Sequence, residues 1–308
     1  MSENIICTAK IMAVVVTYNR LALLNRAIAS LQQQTLPLSG IVVVNNGSTD
    51  GTHEWLDQQQ GLTVVHQDNV GGSGGFYTGM KTAYDLGADW LWCMDDDVWP
   101  TPECLETLYS YLPQHPEIGI ICPRRLQAGK VVNIETVSFN LTNPFARLSV
   151  EISEELVGDN ELFRIEGMVF EGPLISRKVV EKIGLPKKEM FIIVDDTEYS
   201  YRAVVNGFEV MYCKNAILNK ELFPDQVGVW NVYLNNWKAF YFVRNQAYFC
   251  RLYGKTFWCR YLGGIRKYVS FVVFMDAENK MARIKRAFKL LLAFIAGKRK
   301  KLGTIDLS

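Results

Sequence analysis

Histidine is scarce in this chain: His53, His66 and His115 are the three present, and none follows position 115. A metal centre built on imidazole ligands is therefore not expected. The seven cysteines, Cys7, Cys93, Cys104, Cys122, Cys213, Cys250 and Cys259, form no Cys-x-x-Cys pair. An odd, scattered set in mostly apolar stretches fits buried reduced thiols in the cytosol better than a disulfide framework or a zinc ribbon. No apolar run reaches the roughly 20 residues that a membrane-spanning helix needs. The first one, residues 11–16, is short and runs into polar residues, so a signal peptide is not expected either. Any membrane contact is expected to be peripheral. Internal repeats and low-complexity linkers are also missing.

What is present suits a folded α/β protein. The chain has 308 residues, 49% of them hydrophobic and 21% charged, enough to build one large domain with an extension. Its net charge of +1 conceals an asymmetry, because residues 280–301 carry nine Lys or Arg and no acid. An acidic body with a basic end points to an anionic surface as the partner of that end. Strands are expected at 11–16, 41–44, 62–66 and 90–94, with helices at 21–34, 52–59 and 76–86 between them. That alternation predicts a doubly wound, mostly parallel sheet. Further on, the pattern suggests helices at 101–113, 176–183 and 197–206 and strands at 118–122 and 208–213. Residues 130–170 read as antiparallel strands and loops. A long aromatic helical segment is expected over 230–253, and a helical, basic stretch over 257–297. The domain reading is a catalytic domain over 1–225, with a nucleotide-binding half to about 100, and a helical region over 226–308.

Three constellations carry chemistry. Asp95-Asp96-Asp97 follows an apolar strand. Alternation along an extended chain lets Asp95 and Asp97 point the same way, and open α/β sheets bind ligands at the carboxyl ends of their strands. Adjacent carboxylates repel unless a cation sits among them, and Mg²⁺ or Mn²⁺ prefers such oxygen ligands with substrate phosphates in its shell. A solvated acidic turn is the competing reading. Asn69 to Gly75 holds four glycines ahead of a helix, which allows backbone to approach an anion closely; a plain surface loop is the alternative. Asp195-Asp196-Thr197-Glu198 follows four apolar residues. These acids are good helix starters, and one of them is also placed to act as a general base on a sugar hydroxyl.

Taken together these stretches resemble the family 2 glycosyltransferases. The likeness runs through Val15–Arg20 (VVTYNR), Val43–Thr52 (VVNNGSTDGT), the aspartate triplet, Asp195–Arg202 (DDTEYSYR) and Tyr241–Asn245 (YFVRN). The last of these, with the glycine run at 69–76, is similar to the rhamnosyl- and galactofuranosyltransferase branch. The resemblance implies a GT-A fold, a mixed, mostly parallel sheet flanked by helices, and one inverting displacement. It implies that Thr17, Tyr18, Asn19 and Asn45 line a uridine pocket with Arg20 and Asp50 nearby. Asn69, Gly71, Gly72 and Gly75 would border the nucleotide-sugar. Asp95 and Asp97 would hold the metal and Asp96 would face the sugar or ribose. Asp196 would be the base, with Asp195 and Glu198 positioning acceptor hydroxyls, and Arg244 would be structural or touch the diphosphate. Many relatives carry a metal-binding His where this chain has Asn219 or Lys220. Asn219 is a weak oxygen ligand, whereas Lys220 offers its own charge to the diphosphate.

The basic end completes the reading. Met281, Ile284, Phe288, Leu291, Leu292 and Ile295 recur at helical spacing among lysines and arginines. A basic amphipathic helix suits an anionic leaflet; packing on the catalytic domain or on a second subunit is the alternative. Nucleic acid is not expected as a partner, and a homo-oligomer remains open. The expectation is an inverting transferase on the cytoplasmic face of a membrane, passing galactofuranose from UDP-galactofuranose to a lipid-linked glycan. A rhamnosyltransferase using dTDP-rhamnose is the runner-up, ahead of a non-catalytic nucleotide-sugar-binding scaffold.

Overall fold

The computed structural model describes residues 9–223, 236–275 and 279–304. Strand β1 (Ile11–Thr17) is buried along its whole length. Its alternation explains why. Met12, Val14 and Val16 face one layer of the core and Ile11, Ala13 and Val15 the other. Helix α1 (Leu21–Gln32) covers the second face with Leu24, Ile28 and Leu31. Strand β2 (Gly40–Asn45), helix α2 (Thr52–Asp57) and strand β3 (Leu62–His66) follow. Helix α3 (Gly71–Asp85) covers the first face with Phe76, Met80 and Ala83. Strand β4 (Trp90–Asp95) then ends at the aspartate triplet.

The second half inserts antiparallel strands. It comprises β5 (Val98–Pro100), α4 (Cys104–Ser110), β6 (Ile118–Gln127), β7 (Lys130–Val131), β8 (Thr136–Phe139), β9 (Ser149–Glu151), α5 (Glu154–Val157), β10 (Leu162–Arg164), β11 (Leu174–Ser176), α6 (Arg177–Ile183), α7 (Asp195–Val205) and β12 (Glu209–Lys220). The main sheet has the order β10-β12-β6-β11-β4-β1-β2-β3. β1 to β4 are parallel, β11 runs against both β4 and β6, and β12 lies parallel to β6. β8 and β9 make a separate hairpin.

Four helices close the described chain: α8 (Lys238–Tyr253), α9 (Phe257–Leu262), α10 (Ile265–Phe274) and α11 (Lys280–Lys298). α8, α10 and α11 share a small core of their own around Val243, Ala247, Phe271, Leu290 and Phe294. The expected boundary between 225 and 226 lies outside the described residues, as do Trp230 and Tyr233 of the anticipated aromatic helix. The six described cysteines are free and buried.

Two elements differ from expectation. Residues 71–75, anticipated as a loop, are the first turn of α3. The missing side chain at Gly75 lets that helix lie close on β1: a Cβ there would stand 2.5 Å from Val16. β12 extends to Lys220 rather than ending at 213, because it crosses an irregularity between Cys213 and Ile217 and then pairs with β5 as well as β6. The apolar stripe of α11 also divides. Leu290, Ala293, Phe294 and Gly297 are buried, while Met281, Ile284, Phe288 and Leu292 stay exposed.

Candidate active site

The carboxyl end of β4 delivers Asp95, Asp96 and Asp97 to a cavity of about 720 Å³ that Thr17, Tyr18, Arg20, Asn69, Gly71 and Gly72 also line. Carboxylate oxygens of Asp95, Asp97 and Glu171 lie within 4.8 Å of one another. Burial, then Asp97 and Glu171, push the Asp95 carboxyl well above its ordinary value. Three hard oxygen donors under mutual repulsion fit a divalent cation. A resident cation already answers part of that charge. The Lys220 ammonium sits 3.1 Å from Asp97 and 2.8 Å from Glu171. Burial opposes its charge, yet Glu171 and Asp97 hold it above the usual lysine range. Asn219, expected as a possible ligand, is corrected here. Adjacent strand residues face opposite ways, and its amide reaches the Trp99 carbonyl at 3.5 Å instead. Glu171 was not foreseen. It precedes β11, which feeds it back beside β4, and Arg125 pairs with its other oxygen at 3.3 Å.

The loop after β1 is tied to the triplet. Asp96 accepts from the Thr17 hydroxyl at 2.7 Å and the Tyr18 amide at 3.4 Å, and Arg20 reaches both Asp96 and Asp97 at 3.2 and 3.1 Å. The oxygens of Asp96 are thus engaged by protein and anchor this loop, while the residue also lines the cavity. Tyr18 remains half exposed over the cavity, a free aromatic face.

Four anticipated pocket residues lie outside the cavity lining. Asn45 bonds His66 and the Ser48 amide, Asn19 accepts from Thr49, and Asp50 accepts from Leu21 and Thr52. These side chains build the turns between β1, β2 and the following helices. Gly75 is spent on the contact with β1. Asn46 occupies the place expected of Asn45. It lines the cavity and bonds Asn69, the Gly71 carbonyl and Gln67. A second ligand-like group, His53, Asp57 and His66, also lies within 4.8 Å, at the surface and apart from these cavities. Two of the three histidines thus meet around one carboxylate, an arrangement the scattered sequence positions gave no sign of.

Asp195 and Asp196 open α7 and line an adjoining cavity of about 460 Å³. Gly72, Asp95, Glu171, Ile192 and Lys238 line both cavities, so the triplet and the 195–196 pair do converge. Burial, then Asp195, push the Asp196 carboxyl up to about 8. Its Oδ1 accepts from the Thr197 amide at 2.6 Å, within the first turn of α7. Asp195 is raised by burial too. Glu198 is corrected. It is fully buried and absent from both linings, and it bonds Lys187, Arg202 and the Tyr253 hydroxyl at 2.5, 3.3 and 2.7 Å. Its carboxylate is turned to these three partners and away from both cavities, so it braces α7.

The segment before α7 is held from α8. Phe191, Ile193 and Val194 have φ of 68, 64 and 70°, an unusual conformation for bulky residues. The Asn245 amide lies 3.0, 2.9 and 2.7 Å from the carbonyls of Met190, Ile192 and Ile193. Arg244 bonds the Met190 carbonyl at 2.8 Å, so it is structural rather than a diphosphate ligand. Lys238, at the start of α8, faces both cavities. Nothing in its sequence setting had marked it.

A model of glycosyl transferase family 2 matches residues 12–184. The galactofuranosyltransferase GlfT1 of Mycolicibacterium smegmatis is 28% identical over 218 residues, 68% of this chain and 70% of that protein. GlfT1 of Mycobacterium tuberculosis is 30% identical over 219 residues, with 68% and 69% covered. Among solved structures, that of GalNAc-T7 with UDP, GalNAc and Mn²⁺ superposes with a TM-score of 0.62 at 12% identity, over 95% of this chain and 56% of that one. This last likeness is one of fold, and it agrees with the architecture expected from the sequence.

Proposed function

Since the chain belongs to glycosyl transferase family 2 and has the GT-A fold, we propose that it transfers galactofuranose from UDP-galactofuranose, with inversion, to a lipid-linked glycan of a cell-surface polysaccharide. The observation that carries this reading is the pair of adjoining cavities, one acidic at its floor and one headed by Asp196, sharing Asp95, Glu171 and Lys238. The two relatives named galactofuranosyltransferases support the choice of donor.

The chemistry follows from the arrangement. The donor's nucleotide lies against Tyr18, Asn46, Asn69 and Gly72, with its diphosphate toward Arg20 and Lys238. Asp95, Asp97 and Glu171 would hold Mn²⁺ or Mg²⁺, whose charge stabilises the departing diphosphate when bound. Lys220 adds a fixed positive charge to the same place. The acceptor hydroxyl enters from the second cavity and gives its proton to Asp196 as its oxygen attacks the anomeric carbon. One displacement inverts the configuration. Ile192, Ile193 and Val194 give the second cavity an apolar wall beside Asp196.

The protein acts at the cytoplasmic face of a membrane, bound through α10 and α11. Val269, Val273, Phe274, Met281, Ile284 and Phe288 are exposed there among lysines and arginines. No helix among the described residues is long and apolar enough to cross a membrane.

A thermal-shift panel of UDP-, GDP- and dTDP-sugars, with and without Mn²⁺, tests the donor, backed by release of nucleoside diphosphate. UDP-galactofuranose should stabilise most. A larger shift with dTDP-rhamnose would reassign the donor, and no release with any of them would leave the transfer without support.

A further inference from the structure

A third cavity, of about 460 Å³, lies between the β8–β9 hairpin and the helices α8 to α10. It shares Leu148, Ser149, Phe242 and Gln246 with the cavity of Asp196, so the two are continuous. Its wall is basic. Arg147, Arg266 and Lys267 line it against a single carboxylate, Glu151, which pairs with Arg147 at 2.9 Å. At its far side Asn143 and Pro144 also border an apolar hollow formed with Phe145, Trp258 and Leu262. Phe145 and Trp258 are 67% and 63% exposed, and Trp258 meets the Phe257 ring edge-on, so large rings face outward together here.

The order of these surfaces reads as the order of groups in one ligand. Hydroxyl chemistry sits at Asp196, room for one or more sugars follows, then cations, then an apolar track opening to the surface. We propose that the third cavity binds the phosphate or diphosphate of the acceptor, whose apolar tail leaves over Phe145 and Trp258. Guanidinium and ammonium groups at a cavity wall match phosphate oxygens in charge and donor geometry. The apolar hollow next to them selects a phosphate that carries a hydrocarbon chain. The inference rests on the transferase reading and names the acceptor's recognition element, which that reading leaves open.

The test titrates the full chain, with its donor cavity filled by saturating UDP and Mg²⁺, against farnesyl phosphate, farnesol and inorganic phosphate. Farnesyl phosphate should bind at least about tenfold more tightly than either fragment. The double variant Arg266→Gln with Lys267→Gln should weaken it about tenfold and leave UDP affinity within about twofold. Arg266 is exposed, so Arg266→Gln alone, with roughly a threefold loss expected, serves if the double variant does not fold. Equal binding of farnesol and farnesyl phosphate, or unchanged affinity in the variants, overturns the proposal. So does a variant that loses phosphatidylglycerol vesicles but keeps farnesyl phosphate, because its cations would then serve bilayer headgroups. Failure of the wild type to bind UDP or release it from a donor would count against the transferase reading alone, since binding of farnesyl phosphate is read separately.

Discussion

Burial and the neighbouring Asp195 push the Asp196 carboxyl up to about 8, which suits a group that must take a proton from a sugar hydroxyl near neutral pH. If Asp196 is the base, initial rate should climb with pH, pass half its maximum near 8 and level off about one unit above that, and Asp196→Asn should lower turnover about 10³-fold with UDP affinity retained. The same shift makes a stability prediction. A carboxyl raised above its unfolded value of about 3.9 favours the fold below that value and loses the benefit as pH rises through about 8. Asp196→Asn should therefore gain in Tm relative to the wild type between pH 5 and pH 9; an unchanged difference would show that Asp196 is not buried as described. Lys220 offers a second test. Lys220→Ala strips Asp97 and Glu171 of their ammonium and should cost roughly 3 kcal/mol. Mn²⁺ should then raise the Tm of the variant more than that of the wild type, because the vacated charge invites the ion. Equal Mn²⁺ shifts in both proteins would separate Lys220 from the metal site.

At the scale of elements, the site depends on α3 starting where it does. A Cβ at Gly71, where φ is +78°, would stand 2.2 Å from the Phe191 carbonyl, which itself accepts from the Ser73 amide at 3.1 Å. At Gly72 a Cβ would meet nothing within 4 Å, yet that residue lines both cavities. Gly71→Ala should thus lower Tm by several degrees, whereas Gly72→Ala should leave Tm within about 1 °C and weaken donor binding. Asn245→Ala frees the 190–193 carbonyls and should cost about 2 kcal/mol, with kcat falling more than the donor's KM changes. The contrast between these residues explains what the sequence could disclose. β1, β2 and β4 were legible because each is a nearly continuous apolar run ending in polar residues, and the triplet was legible because it ends such a run. Glu171 was not, since only the antiparallel return of β11 brings it beside β4. Asn46 was missed by one position, and of the two residues weighed at the end of β12 it is Lys220, not Asn219, that faces the carboxylates, because the facing of a strand-end residue depends on where pairing stops. Glu198 looked equal to Asp195 and Asp196 in a row of acids, but the turn of α7 buries it against Lys187 and Arg202.

At the scale of the whole molecule, the unexplained surface is apolar and basic at once. α11 uses Leu290, Ala293 and Phe294 to hold α8 and keeps Met281, Ile284, Phe288 and Leu292 outside. α10 adds Val273 and Phe274 on its exposed side. On the proposed membrane reading these side chains enter the headgroup boundary, while each nearby Lys or Arg contributes about 1 kcal/mol on an anionic leaflet. The apolar part resists salt and the charged part does not, so partition to vesicles containing phosphatidylglycerol should fall, without vanishing, as ionic strength rises. Phe274→Ser with Phe288→Ser removes two exposed rings without touching either core, and burying one such ring is worth roughly 1.5–3 kcal/mol. Vesicle partition should therefore drop at least about tenfold, with UDP affinity unchanged. Should the wild type ignore vesicles and sediment instead as a dimer that the same double substitution splits, a second copy of the chain, not a lipid surface, covers this face.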